Sequence, residues 1–198
     1  MDLKEYIRSI PDYPKKGILF RDITTLIKNE KAFCYCIDQI VEKSKEFKFN
    51  KIAAVESRGF VFASAISYIL KKPFILLRKK NKLPAETHSF DFELEYGTAT
   101  IEMHKDSVNK GDSVIIIDDL IATGGTADAA AKLIKISEGN VAGFIFVINL
   151  FDLGGTDKLL KQNYKVKNLI DFPGHQLLIL YQDFFPIIEL YKPQTRIK

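Results

Sequence analysis

Apolar runs of strand length alternate with helix-length amphipathic segments along most of the chain. The predicted strands are residues 51–55, 73–77, 98–104, 114–117, 143–150 and 165–170. The predicted helices are residues 29–47, 60–70, 127–136 and 156–162, preceded by an amphipathic helix that begins near Leu3 and ends at Pro11. This alternation predicts an α/β fold with a doubly wound, mostly parallel sheet and flanking helices.

The stretch 114–126 is the most informative part of this pattern. A continuous β-branched run stops at Asp118 and Asp119 and passes through Gly124 and Gly125 into an Ala-rich helix. Such a run is typical of a strand in a parallel sheet that is covered on both faces. The loop after it lies at the carboxyl end of the strand, where open α/β sheets bind ligands. We therefore expect the chemistry at this loop.

The loop has the composition of an anion site. Gly124 and Gly125 leave no side chain in the way, so successive N–H groups can curve into a nest for an anion. The helix that follows presents unpaired N–H groups and the positive end of its dipole, and Thr123 and Thr126 add hydroxyl donors. The loop therefore suits a phosphate monoester. The alternative is an ordinary turn in which Thr126 caps the helix.

Asp118 and Asp119 add a second requirement, because two carboxylates at the end of a buried strand are unfavourable unless they have partners. The two hydroxyls of a ribose are suitable partners, and Mg²⁺ can bridge nearby oxygens. The predicted ligand is therefore a sugar 5′-phosphate. The sequence contains neither the Gly-x-x-x-x-Gly-Lys-Ser/Thr pattern of a P-loop nor the Gly-x-Gly-x-x-Gly pattern of a dinucleotide site.

Composition narrows the class of protein without identifying it. A chain of 198 residues is near the size of one domain, and 46% hydrophobic with 27% charged residues is ordinary for a globular protein. The N-terminus lacks the features of a signal peptide and no apolar stretch is long enough to span a bilayer, so we expect a cytoplasmic enzyme with no membrane partner. A net charge of +4 is too small to indicate nucleic-acid binding.

The cysteines and histidines do not indicate a metal site. Cys34 and Cys36 lack the second pair that a four-ligand zinc site requires, and helical spacing places Cys36 on the core face. His88, His104 and His175 share no ligand spacing. We expect free thiols and assign the histidines no role.

Residues 114–126 resemble the phosphoribosyl-diphosphate signature of the type I phosphoribosyltransferases. Further segments, at residues 10–14, 17–24, 56–60, 82–84 and 94–97, are similar to those of family members that use adenine. The resemblance implies one phosphoribosyltransferase domain over residues 1–172, with a mobile lid hairpin and an N-terminal base-binding segment. Residues 173–198 would then be a C-terminal extension of unknown role.

The reaction that the resemblance implies transfers the phosphoribosyl group of 5-phosphoribosyl 1-diphosphate to adenine, giving AMP and diphosphate. The implied cofactor is Mg²⁺, held mainly by substrate oxygens and water with no direct protein ligand, and the implied assembly is a homodimer. Two alternatives stay open. One is a transferase for the 6-oxopurines hypoxanthine, guanine or xanthine, and the other is a non-catalytic regulator that senses phosphoribosyl diphosphate.

The resemblance also assigns residues to each part of the substrates. The residues assigned to the ribose phosphate are Asp118, Asp119, Ala122, Thr123, Gly124, Gly125 and Thr126. Those assigned to the diphosphate are Arg58, Gly59, Arg78, Lys79 and Lys82. Those assigned to adenine are Leu19, Phe20 and Arg21. The catalytic candidate is Glu95, within the polar connection 78–97 that we predict to be the lid.

Several of these assignments compete with a structural explanation. Arg58 offers a planar fork of donors to the diphosphate, or else it forms a surface ion pair. Phe20 offers a stacking face to the purine, or else it packs as a hydrophobic staple at the next helix. Glu95 stabilises positive charge on the ribose ring or manages the proton of the base, or else it is an exposed residue of a flexible hairpin.

Overall fold

The computed structural model describes residues 1–94 and 97–174. The helices are α1 (Thr24–Ile27), α2 (Glu30–Ser44), α3 (Arg58–Leu70), α4 (Gly125–Ile136) and α5 (Gly155–Lys161), with short 3-10 helices at Leu3–Tyr6 and Phe151–Leu153. The strands are β1 (Arg8–Pro11), β2 (Leu19–Asp22), β3 (Lys51–Val55), β4 (Phe74–Lys79), β5 (Thr87–Leu94), β6 (Gly97–His104), β7 (Ser113–Ile121), β8 (Asn140–Leu150) and β9 (Val166–Phe172).

The described part of the chain contains a seven-stranded sheet with the strand order β5-β6-β4-β3-β7-β8-β9. Strands β4, β3, β7, β8 and β9 are parallel to one another, whereas β6 is antiparallel to both β4 and β5. The chain moves from β3 to one side and from β7 to the other, so the topological switch point lies between β3 and β7. The predicted α/β fold, with its mostly parallel sheet and flanking helices, is confirmed.

Helices cover both faces of this sheet, which explains the continuous apolar run in β7. Ile115 and Ile117 face the core cluster that contains residues of α2 and α3. Val114 and Ile116 face the cluster that contains residues of α4 and α5. A strand between two apolar layers has no solvent side, so both sets of alternating positions are apolar.

The N-terminal helix that we predicted is wrong beyond its first turn. The structure has a 3-10 helix at Leu3–Tyr6 and then strand β1, which pairs antiparallel with β2. Leu3 and Ile7 are buried, as the predicted helix required, but Ile10 lies opposite Phe20 in a β-ladder. The spacing of a few apolar residues did not distinguish these conformations, because the ladder partner of β1 lies several residues further along the chain.

Two further boundaries differ from the prediction. Strand β7 continues through Asp118 and Asp119 to Ile121, so the loop before α4 is short. Part of the polar connection 78–97 is strand β5, which pairs with β6 from Thr87 and His104 to Leu94 and Gly97. The predicted lid is therefore an antiparallel hairpin at the edge of the sheet. Its mobility stays a prediction.

Candidate active site

A cavity of about 620 Å³ lies at the switch point, at the carboxyl ends of β3 and β7. This is the position where open α/β sheets bind ligands. The lining comes from the residues after β3, the end of β7, the loop into α4 and single residues of two other segments. These residues are Ile18, Val55, Glu56, Ser57, Arg58, Asp118, Asp119, Leu120, Ile121, Ala122, Thr123, Gly124, Gly125, Thr126, Ala127 and Phe146.

The loop between β7 and α4 has the backbone geometry of an anion site. Gly124 is the N-cap residue of α4 and has a φ of 77°, in the left-handed region that favours glycine. No side chain caps this helix, so the alternative in which Thr126 acts as the cap is wrong. The N–H groups of the first turn therefore have no partner within the helix, and the dipole of a 12-residue helix adds to their positive potential.

A second glycine loop, between β8 and α5, packs against the first. The N–H of Gly155 donates to the carbonyl of Ala122 at 2.9 Å. A Cβ atom at residue 155 would lie 2.2 Å from that carbonyl oxygen and 2.7 Å from the nitrogen of Gly124. Thr156 is fixed in turn, because its hydroxyl donates to the side-chain oxygen of Asn149 on β8 at 2.9 Å. Sequence reasoning missed this support, although Gly-Gly-Thr at 154–156 repeats the Gly-Gly-Thr at 124–126.

Asp118 and Asp119 lie side by side at the end of β7. Asp118 is half-buried and Asp119 is only 4% exposed. The Oδ1 atom of Asp118 accepts from the N–H of Asp119 at 2.9 Å. Burial, together with the negative charge of Asp119, raises the pKa of Asp118 well above its ordinary value. Burial also raises the pKa of Asp119, and Arg58 opposes this shift.

Arg58, the first residue of α3, connects the junction between β3 and α3 to the end of β7. Its Nε atom lies 2.9 Å from Oδ2 of Asp119, but that oxygen has no aligned hydrogen bond. The ion pair predicted as the alternative role of Arg58 is therefore present, and it is part of the cavity rather than of a remote surface. Because 43% of the Arg58 side chain is exposed, donors of its guanidinium remain accessible to a ligand.

Packing around Gly59 leaves no room for a side chain at this position. Gly59 is buried in the first turn of α3, and a Cβ atom there would lie 2.6 Å from Oδ1 of Asp118. The absence of a side chain lets the start of α3 approach the end of β7, which brings Arg58 to Asp119. The peptide bond between Glu56 and Ser57, which lies just before this turn, is cis.

The β1–β2 hairpin borders the cavity on the side of Arg58. Ile18, which precedes β2, contributes to the cavity lining. The ring of Phe20 lies 5.5 Å from the Arg58 guanidinium and makes an edge contact with Tyr13 at 5.2 Å. Leu19 is half-buried and does not line the cavity. The structure therefore brings this segment beside the loop between β7 and α4, residues 122–126, which we call the phosphate loop.

The side chain of Arg21 does not line the cavity, and the role of this residue in binding adenine stays a prediction. The residue is 3% exposed, and its Nη2 atom donates to the carbonyl of Pro173 at 2.8 Å. Its guanidinium lies 4.3 Å from the centroid of the Phe172 ring. The alternation of the strand directs this side chain away from the face that Phe20 occupies.

The predicted diphosphate residues of the lid do not line the cavity, although Arg78 contacts the lining residue Glu56. Arg78 forms a bidentate ion pair with Glu56, in which Nη2 donates to Oε1 at 3.0 Å and Nε donates to Oε2 at 3.2 Å. Its Nη1 atom also donates to the carbonyl of Lys82 at 2.9 Å. The hydrogen bonds from Arg78 are the largest cause that holds the pKa of Glu56 below its ordinary value. Lys79 and Lys82 are exposed and do not line the cavity. Glu95 lies outside the described residues.

A cluster of three His, Cys, Asp or Glu side chains able to hold a metal ion is absent from residues 1–94 and 97–174. The carboxylates that line the cavity are Glu56, Asp118 and Asp119; Glu56 is paired with Arg78, whereas Oδ2 of Asp119 lacks an aligned hydrogen bond. This oxygen can accept from a ligand hydroxyl or from a metal-bound water. Within the same residues, none of the helices combines the length and the apolar character needed to cross a membrane.

Comparison with known proteins identifies the family. The family described as "Phosphoribosyl transferase domain" matches residues 25–177. The adenine phosphoribosyltransferase of Pelagibacter ubique is 75% identical over 175 residues, which cover 88% of this chain and all of that protein. The adenine phosphoribosyltransferase of Escherichia coli O157:H7 strain EC4115 is 49% identical over 173 residues, covering 87% of this chain and 94% of that protein.

Solved structures agree with these relatives. The adenine phosphoribosyltransferase of Thermoanaerobacter pseudethanolicus superposes with a TM-score of 0.83 at 48% identity, covering 86% of this chain and 98% of that one. The Saccharomyces cerevisiae enzyme, solved with an iminoaltritol bisphosphate and adenine, gives a TM-score of 0.79 at 37% identity, covering 85% and 97% of the two chains. These relatives do not favour the 6-oxopurine or regulator alternatives.

Proposed function

The chain belongs to the adenine phosphoribosyltransferases of the phosphoribosyltransferase family, and from this premise we propose how it carries out their reaction. It transfers the phosphoribosyl group of 5-phosphoribosyl 1-diphosphate to adenine and gives AMP and diphosphate, a step of purine salvage. The observation that carries the proposal is the cavity at the switch point, where the phosphate loop, the Asp118–Asp119 pair and Arg58 converge.

The phosphate loop would hold the 5′-phosphate through the backbone of Thr123 to Thr126 and the start of α4. The two ribose hydroxyls would donate to Asp118 and Asp119, whose burial otherwise leaves them short of partners. These contacts fix the sugar at two points. They leave its anomeric carbon directed toward the junction between β3 and α3, where Arg58 can meet the diphosphate.

Bond exchange occurs at the anomeric carbon. The bond from this carbon to the diphosphate oxygen breaks, a bond to N9 of adenine forms, and the proton on the base nitrogen is lost. Positive charge develops on the ribose ring as the diphosphate leaves. We assign Glu95 to this step, as an electrostatic stabiliser of the ring or as the acceptor of the base proton. In the sequence Glu95 follows β5 and precedes β6, so closure of that hairpin over the cavity would serve this role.

Adenine would enter beside the β1–β2 hairpin, with its ring against Phe20 and its polar edge toward the backbone near Leu19. The relative from Saccharomyces cerevisiae, which was solved with adenine, supports the choice of base. Backbone groups suit this task because a hydrogen-bond pattern that accepts an exocyclic amine leaves a polar group unpaired when a 6-oxopurine binds.

Mg²⁺ is the cofactor that we propose. Asp118 and Asp119 are too few to enclose the ion, so it would be coordinated mainly by diphosphate and ribose oxygens and by water, with Asp119 accepting from one such water. When bound, it neutralises charge on the diphosphate. Arg58 supplies the positive protein charge of the cavity lining, and we keep Arg78, Lys79 and Lys82 as diphosphate contacts of the closed lid.

We also propose a cytoplasmic homodimer, with residues 1–172 as the catalytic domain and 173–198 as an extension. The support for the dimer is an apolar face on α3 and β4. Val61 and Tyr68 are exposed seven residues apart on α3, and Leu76 on the neighbouring strand β4 is also exposed. Exposed apolar side chains grouped in this way are typical of a surface that meets another protein.

Product chromatography tests the choice of base. The purified protein would be incubated with phosphoribosyl diphosphate, Mg²⁺ and either adenine, hypoxanthine or guanine. We expect AMP to form at least about 100-fold faster than IMP or GMP, because the wrong purine leaves buried polar groups unpaired. Comparable or faster formation of IMP or GMP would contradict the assignment of the base.

A further inference from the structure

Arg21 is a buried cation whose side chain plays no direct part in the cavity. Only 3% of the residue is exposed, and burial is the main influence on its guanidinium, lowering the pKa, while Asp152 opposes that shift. Its Nε atom is buried without a hydrogen bond. A charge held under these conditions is unfavourable unless its remaining contacts are specific and well arranged.

The contacts of Arg21 join three separate strands. Its own backbone is in β2, and its Nη1 atom donates to the hydroxyl of Ser9 in β1. Its Nη2 atom donates to the carbonyl of Pro173, just after β9, at 2.8 Å. The guanidinium also stacks on Phe172, the last residue of β9, at 4.3 Å from the ring centroid. One side chain thus connects both strands of the β1–β2 hairpin to the end of β9.

The β1–β2 hairpin needs such a connection. Within the part of the chain that the structure describes, β1 and β2 form a two-stranded sheet separate from the main one. An isolated two-stranded hairpin is marginally stable in water, so its position depends on side-chain contacts with the rest of the domain. The same hairpin carries Ile18, which lines the cavity, and Phe20, next to Arg21, whose ring lies 5.5 Å from the guanidinium of the cavity residue Arg58.

We propose that Arg21 is a positioning residue for the purine: it does not touch the base, and it holds Phe20 and the adjacent backbone at the cavity by fastening the hairpin to the end of β9. The inference rests on the proposed function, because it concerns the adenine subsite of that reaction. It replaces the direct contact with adenine that the sequence suggested. A displacement of about 1 Å in a positioning element can lower turnover efficiency by up to about 100-fold.

Steady-state kinetics of three variants tests this role. Arg21→Met keeps the apolar stem but removes the fork of donors, and we expect the KM for adenine to rise about tenfold or more while the KM for phosphoribosyl diphosphate changes by less than about twofold. Arg21→Lys, which cannot reach Ser9 and Pro173 together, should give an intermediate KM for adenine. Ser9→Ala removes one partner only and should raise the KM for adenine about threefold.

Arg8→Met is the matched control. Arg8 lies on the same hairpin, with 56% of its side chain exposed, and pairs with Asp22 rather than with β9. We expect both KM values of this variant to match the parent. If Arg21→Met does not fold, Ser9→Ala decides the question, and an unchanged KM for adenine in that variant overturns the inference.

The remaining outcomes separate the two proposals. A parent protein that makes no AMP refutes the proposed function together with this inference. A parent that makes AMP, with an Arg21→Met variant that folds and keeps the parental KM for adenine, refutes the inference alone. An equal rise of both KM values would show a general structural defect and would likewise refute the positioning role.

Discussion

At the residue scale, Asp118 and Asp119 show how a site can require its ligand. Two neighbouring carboxylates at the end of β7 have raised pKa values, because burial disfavours the charged form of both and the negative charge of Asp119 further raises the pKa of Asp118. The positive charge of Arg58 opposes this rise of the pKa on both carboxyl groups, and Arg58 forms an ion pair with Asp119. Hydroxyl donors from a ribose would favour the charged forms and supply the missing hydrogen bonds. The pair therefore contributes little to the stability of the empty fold and much to recognition of the sugar.

Glu95→Gln tests the catalytic assignment. The amide keeps the shape and hydrogen-bonding capacity of the side chain but removes its charge and basicity. Because these act in the transition state, kcat should fall about 100-fold or more while the affinity for phosphoribosyl diphosphate changes little. Single-turnover rates and calorimetric titration would measure the two effects separately, and slow product release cannot mask the chemical step in a single turnover.

Glu93→Gln is the control for this test, since it removes the same charge two residues earlier in β5. We expect the control to keep the parental single-turnover rate. A parental rate in Glu95→Gln would remove Glu95 from the mechanism.

Residue types at the site were predictable from the sequence, but side-chain directions were not. The loop 122–126, the Asp118–Asp119 pair and Arg58 converge as expected, since parallel topology brings the carboxyl ends of β3 and β7 together. Arg21 and Arg78 instead turn toward Pro173 and Glu56. These partners are 152 and 22 residues away in sequence, and no local pattern indicates such distant pairings.

At the element scale, the phosphate loop depends on a neighbouring loop. The turn before α4 rests on the turn before α5, through the Gly155–Ala122 hydrogen bond and a contact too close for any side chain. Backbone atoms that meet at such distances cannot move apart slightly without changing the angles of the anion nest. The β8–α5 connection therefore acts as a support for phosphate binding, although residues 154 and 155 do not line the cavity.

Gly155→Ala should weaken the binding of phosphoribosyl diphosphate about tenfold or more, because the added methyl group would displace the backbone of Ala122 and Gly124. Gly154→Ala is a matched comparison. Residue 154 has a φ of 73° and open space around its missing Cβ, so this change should lower stability by about 1 kcal/mol and leave affinity unchanged. Calorimetric titration and thermal unfolding of both variants would measure these effects.

Together, the Gly155→Ala and Gly154→Ala variants separate the effect of the close contact at residue 155 from the effect of the left-handed backbone conformation at residue 154. Equal losses of affinity in the two variants would indicate that general destabilisation of the turn, rather than the Gly155 contact, controls the phosphate loop. Parental affinity in a folded Gly155→Ala variant would show that the two loops are not coupled.

Helices and strands were predictable where the apolar spacing repeats over many consecutive residues of one segment. The helices of the α/β core and the strands between them follow the apolar pattern, and Cys36 is buried while Cys34 is exposed, as helical spacing indicated. The N-terminal segment was not predictable in the same way. Its few apolar residues are compatible with a helix and with a short 3-10 helix followed by a strand, and the ladder with β2 decides between them.

At the scale of the whole molecule, helix α3 contributes both to the candidate active site, at its first residue, and to the exposed apolar face, further along the helix. The helix begins at Arg58, inside the cavity, and exposes Val61 and Tyr68 further along. Tyr68 is 75% exposed, which is unusual for a ring of this size. A second copy of the chain on this face would therefore lie close to the start of α3 and to the diphosphate side of the site.

Tyr68→Glu tests the proposed dimer. A charge at the centre of an apolar interface is unfavourable, so we expect the parent to have twice the 22.6 kDa monomer mass and this variant to shift toward the monomer. Ile136→Glu is the control, because Ile136 is also an exposed apolar residue but belongs to α4, on the opposite face of the sheet. Light scattering coupled to size-exclusion chromatography would measure the masses. A monomeric parent would refute the dimer, and dissociation by Ile136→Glu instead would move the interface to the α4 face.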